Sequence, residues 1–154
     1  MGRGYWRHSV PPLRGLRTLR GAHAAGFTLI ELVIVVAIVA ILAAIAVPSY
    51  RRYVMHGNRE AAESLMLEIA SAQERYMVDN RGYAPDAGTL GYGPTAQPSG
   101  VSANYDVAVA TSTALPPSYS ITATPKAGSP QANDSCGTLT LGGDGSKQPA
   151  GCWK

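Results

Sequence analysis

Two features of this 154-residue chain carry chemistry that its surroundings do not supply for free. The first is Glu31. It lies inside FTLIELVIVVAIVAILAAIAV, residues 27–47, where Thr28 is the only other polar residue. A carboxylate at the centre of a membrane-crossing helix costs about 2.5–3.5 kcal/mol. Near the start of the run the cost is lower, yet the charge still needs a partner. The second is the cysteine pair, Cys136 and Cys152, with fifteen residues between them. An even count beside an export segment reads as one disulfide, the other reading being two thiols of a cytosolic protein. Closing such a loop is worth about 3 kcal/mol.

Other chemistry is thin. The histidines are His8, His23 and His56, none at metal-ligand spacing with another or with a cysteine. Serines are plentiful, but no histidine follows residue 56 to serve as a base. Gly142, Gly143 and Gly145 read as a hairpin turn, and Asn133-Asp134-Ser135, although it fits a glycosylation triplet, reads as turn chemistry beside Cys136. The chain is expected to be no enzyme and to take no cofactor or metal.

The elements that must position these residues follow from pattern. Residues 1–26 hold five arginines and no acid and end in Ala24, Ala25 and Gly26, as a leader peptide does. Beyond them, eight basic residues face ten acidic ones, a formal side-chain charge of −2, so the basic balance of the whole chain belongs to the leader. Residues 27–47 form a helix of roughly 31 Å, the thickness of a bilayer's hydrocarbon core. Tyr50, Arg51, Arg52 and Tyr53 follow directly, residue types suited to a membrane–water interface. Pro48 closes the apolar run. Residues 48–80 continue as an amphipathic helix with Val54, Gly57, Ala61, Leu65, Ile69, Ala72 and Tyr76 on one face, softened at Gly57-Asn58. Arg52, Arg59, Glu60, Glu63, Glu68 and Glu74 take the other face, and Asn80, Gly82 and Pro85 end the helix. Residues 81–154 read as a long loop to residue 103 and a small antiparallel sheet. Its strands are Tyr105–Ala110, Ser118–Thr124 and Thr138–Leu141, with a fourth near Cys152-Trp153.

A secretory signal places its small-residue cleavage site after the apolar run; here it comes before. A cut after Gly26 leaves the apolar helix on a product that begins Phe27-Thr28-Leu29-Ile30-Glu31. The run from Gly26 to Leu32, unbroken to Pro48, resembles the N-terminus of type IV prepilins. The ending Cys136-Gly137-Thr138-Leu139-Thr140-Leu141, then Cys152-Trp153, is similar to minor pilins of the PilE/ComP kind.

That resemblance implies an α+β pilin fold, a long N-terminal helix packed on a small antiparallel sheet with a C-terminal disulfide loop. It implies cleavage by prepilin peptidase between Gly26 and Phe27, methylation of the Phe27 amine, and filament assembly through Glu31 and Pro48. In a bundle of parallel staggered helices Glu31 of one copy neutralises the Phe27 amine of its neighbour. The implied partners are membrane lipid before assembly, other pilin subunits, and the inner-membrane assembly machinery. The implied location is the inner membrane as a single-pass protein, then the extracellular pilus. The implied function is that of a minor structural subunit supporting adhesion, twitching motility or DNA uptake.

Three alternatives stand beside it. Ala44-Ile45-Ala46 fits a signal-peptidase site, which would release a soluble domain from Val47. A pseudopilin of a type II secretion system shares the N-terminus. A DNA-binding competence pilin needs a basic patch. From Gly82 onward only Lys126, Lys147 and Lys154 could build one, against Asp86, Asp106, Asp134 and Asp144.

Overall fold

The computed structural model describes residues 26–153; the leader reading therefore lies outside the described residues except for Gly26. The chain divides into two compact units, one up to Ile38 and one from Val39 onward.

The first unit's described residues are three that precede the helix, 26–28, and the opening turns of helix α1, Leu29–Asn80. Its cap is local. The Thr28 hydroxyl accepts a hydrogen bond from the Glu31 N–H at 3.2 Å, one of the four amide donors a helix start leaves unpaired. Thr-x-x-Glu is the capping-box spacing.

The second unit holds the rest of α1 and everything after it. The helix is one 52-residue element that runs through Pro48 and through Gly57-Asn58 without a break. The sequence reading divided it at Pro48 and softened it at Gly57. A proline forfeits a single i→i−4 bond, and strong helix formers stand close by on either side, Ala43, Ala44 and Ala46 before it and Arg51 and Arg52 after it. The buried stripe is Arg59, Ala62, Glu63, Leu65, Met66, Ile69, Ala72 and Gln73. Leu65, Ile69 and Ala72 match the expected face, whereas Gly57 is exposed and Arg59 and Glu63 move from the solvent side to the interior. Backbone at Arg81 adopts φ 58°, and its N–H reaches the Met77 carbonyl at 2.9 Å, which ends the helix at Asn80, two residues before Gly82.

The sheet is a four-stranded antiparallel meander in the order β1-β2-β3-β4. Its strands are β1 Tyr105–Ser112, β2 Ser118–Pro125, β3 Leu139–Gly142 and β4 Lys147–Gln148. The fourth strand is thus Lys147–Gln148, not Cys152-Trp153: the Gly142-to-Ser146 turn is tight, with Gly142 N–H bonded to the Ser146 carbonyl at 2.9 Å, so the chain re-pairs at once. Alternation sets the inner face. Tyr119, Ile121 and Ala123 of β2 are buried, and Ile121 pairs with Leu141 and Ala123 with Leu139. These residues, with Tyr105, pack on Ala62, Leu65, Met66 and Ile69 of α1 in a single core. The loop after α1 contributes Ala87 and Val101, the latter from a four-residue helix α2, Ser99–Ser102, that the loop reading missed. A 3-10 turn, Pro130–Asn133, joins β2 to β3.

Two glycines are required by geometry. A Cβ on Gly143 would stand 2.9 Å from the Tyr119 ring, and Gly145 has φ +82°.

Candidate functional site

The residues singled out by sequence fall in two places. Gly26, Phe27 and Glu31 belong to the first unit, and Pro48, Cys136 and Cys152 to the second.

Around the helix start, Phe27 is 82% exposed, and a Cβ on Gly26 would meet nothing within 4 Å. Glu31 occupies the first turn of α1, where the unpaired amides carry a partial positive charge that favours a carboxylate by about 0.3–1 kcal/mol. That offsets part of what the apolar surroundings cost it. The large apolar side chains from Phe27 to Val47 range from 49% to 82% exposed. Soluble monomers rarely leave so extended an apolar surface uncovered. By length and composition α1 can cross a membrane.

At the other place, Cys136 and Cys152 form a disulfide. Its loop is fixed by a buried polar cluster. Arg59 Nη1 donates to both oxygens of Asp134, at 3.0 and 3.3 Å, and also contacts Cys136 Sγ. Asp134 further accepts from Gln131 Nε2 at 2.6 Å and from the Cys136 N–H at 3.2 Å. The last bond is the turn chemistry expected of Asn133-Asp134-Ser135. His56, one turn before Arg59, contacts the same guanidinium through Nδ1, and Glu63 lies 4.0 Å from Arg59 Nε. Beside this cluster, burial and then the Asp134 charge push the Tyr105 phenol up to about 12.

The lysines do not gather. Lys126 donates to the Ser102 carbonyl at 2.7 Å and lies 3.5 Å from Asp106. Lys147 stands over the Trp153 ring, 5.2 Å from its centroid, and Trp153 Nε1 donates to the Gln148 carbonyl at 3.0 Å. Lys147 pairs with Leu141, which pairs with Ile121. That leaves Lys126 five residues along and two strands away, about 19 Å by strand geometry. Lys154 lies outside the described residues.

Sequence reasoning missed Arg59, Gln73 and the Lys147–Trp153 pair. Thr28 was missed as a cap, although Thr-x-x-Glu before an apolar run signals one. Gln73 is fully buried and makes two 2.8 Å bonds with the Ala84 backbone, anchoring the loop to α1.

The family described as "Type IV minor pilin ComP, DNA uptake sequence receptor" matches residues 48–140, and the prokaryotic N-terminal methylation motif matches residues 21–47. A solved type IV pilin from Shewanella oneidensis is 28% identical, with 65% of this chain and 98% of that one covered at a TM-score of 0.49. No curated protein matches. The family match covers more than half of the chain and takes in all of α1 after Val47, β1, β2 and the first turn of the disulfide loop. The methylation motif spans Gly26, Phe27, Glu31 and the whole apolar run. With a long N-terminal helix, a four-stranded antiparallel sheet and a C-terminal disulfide, this chain belongs to the ComP family of type IV minor pilins.

Proposed function

We propose that the chain is cut between Gly26 and Phe27 by prepilin peptidase, methylated on the Phe27 amine, held in the inner membrane by the first half of α1, and then assembled into a pilus. The carrying observation is the sleeve of exposed apolar side chains with one carboxylate in its first turn. Such a sleeve is satisfied by lipid or by other helices and by little else. A single acid in it gives an apolar bundle an axial register, because Glu31 of one subunit neutralises the terminal amine of the next. Among the described residues nothing crowds a side chain at residue 26. That supports a requirement imposed from outside, by a peptidase that accepts only a small residue. Pro48 supplies a helix position lacking one backbone bond, the place where α1 yields most cheaply on assembly.

The test is the mature N-terminus, by mass spectrometry of membrane and sheared-surface fractions, with Glu31→Ala alongside. The expected product begins at methylated Phe27, and Glu31→Ala is processed normally but missing from sheared filaments. A product beginning at Val47, or a Glu31→Ala subunit incorporated as well as the parent, would overturn the reading.

The family match favours a second property of the same subunit, contact with DNA. Beyond the leader the formal charge is −2, so any contact relies on local groups. Lys147 and Trp153, a half-buried cation over a half-buried ring, are the kind that engage phosphate and base together. Full-length protein in detergent is expected to retard DNA in low salt, and Lys147→Gln to weaken that several-fold. Binding that ignores salt and Lys147 would rule this surface out.

A further inference from the structure

The end of the apolar span leads directly into a groove. Helix α1 offers Tyr50, Arg51, Val54 and Met55 to one wall, and Pro130 and Asn133 of the 3-10 turn form the other, enclosing about 530 Å³. From Val47, Tyr50 is about 5 Å and Val54 about 10 Å further along the helix axis. Headgroups occupy about 5–8 Å beyond each face of the hydrocarbon core. The groove therefore starts at headgroup depth, at Tyr50 and Arg51, and continues outward past it when residues 27–47 span a bilayer.

Its charge is unusual for that depth. Arg51 and Arg52 are both exposed, and among the described residues neither has an ion-pair or hydrogen-bond partner. The nearby carboxylate Asp134 is already saturated by Arg59, Gln131 and the Cys136 N–H. Flanking cations normally mark the side of a span that stays in the cytoplasm. Here the leader's five arginines already set that side. Arginines 51 and 52 lie on the opposite flank, against the bias, and need another purpose. The groove itself is lined by one tyrosine, Tyr50, and one guanidinium, Arg51, while Arg52 lines the adjoining cavity that shares Met55 and Asn133. An apolar wall, an amphipathic ring and unpaired guanidiniums match the glycerol region and the phosphate of a lipid.

We propose that this groove is a binding site for the headgroup of an anionic phospholipid of the outward leaflet, its glycerol region lying against Tyr50, its phosphate held by Arg51 with Arg52 reaching in from the adjoining cavity, and its headgroup between Val54 and Pro130. The site steadies the membrane-held subunit before assembly. It rests on the reading that residues 27–47 span the membrane.

The experiment reconstitutes the full chain into vesicles of phosphatidylcholine, with or without phosphatidylglycerol carrying a photoreactive headgroup, and maps the labelled peptides. Labelling is expected in peptides containing residues 50–55 and 130–133. It should fall by about thirtyfold in Arg51→Gln/Arg52→Gln, some fivefold per charge removed. Asn133→Trp, which fills the groove from an exposed position and leaves both cations in place, should also abolish it. Arg75→Gln, on an exposed part of the helix away from the groove, should not change it. Equal labelling by a phosphatidylcholine probe, or labelling indifferent to both groove variants, would overturn the proposal. So would cross-links from the groove to a second pilin helix in place of lipid. A chain that fails to float with the vesicles at all would instead overturn the membrane anchorage, a result distinguishable from an unlabelled groove in a floating chain.

Discussion

Arg59 sits where a helical wheel places it in water, yet it is 8% exposed and Glu63 is 6% exposed. Periodicity treats a charge as a surface marker. It cannot see a carboxylate 75 residues downstream that satisfies the guanidinium. Gln73 was illegible for the same reason, since its partner is loop backbone. Removing one member of a buried pair strands the other, at about 3–5 kcal/mol, although the pair itself need not add much net stability. Arg59→Leu is therefore expected to lose about 3 kcal/mol in urea unfolding of the detergent-solubilised chain. Arg59→Leu/Asp134→Leu should lose clearly less than the two single losses added together. Strict additivity would mean that the two side chains are not coupled.

Among the elements, the apolar span and the strands were legible because each has a period and a clear boundary. β2 alternates cleanly, and Pro116-Pro117 and the Gly142–Gly145 turn bracket the strands as read. Short elements were not: α2 and β4 have four and two residues, too few to show a period. The end of α1 was read at residue 80, where the helix ends, and the left-handed position that follows it falls on Arg81 rather than on a glycine. An L-residue there costs about 1–2 kcal/mol, while glycine costs about 0.5–1 kcal/mol in chain freedom. Arg81→Gly is thus expected to be stabilising by on the order of 0.5 kcal/mol, read as a small rise in melting temperature. A fall would mean that the arginine side chain holds the helix end in a way its backbone conformation does not suggest.

The head as a whole carries a pH limit in its tyrosines. Burial, followed by the neighbouring Glu74 carboxylate, pushes Tyr119 up to about 12, and Tyr105 is raised to about 12 as well. Unfolded, both return to about 10. The folded state thus holds protons that the unfolded chain has lost, and stability should be intact below pH 10 and fall as pH rises from 10 toward 12. Near-ultraviolet circular dichroism against pH checks this, and Tyr105→Phe should flatten the decline. An unchanged slope would mean that other groups set the alkaline limit.

The meander also dictates an order of events. Each strand pairs only with its neighbour in sequence, so the sheet's contacts are local and quick to form. The clasp between Arg59 and Asp134 closes a far longer loop and gains nothing until the sheet has placed Asp134. Folding should then run from hairpins to clasp, leaving the clasp absent from the transition state. Its loss would be felt in the lifetime of the folded subunit rather than in the speed of its making.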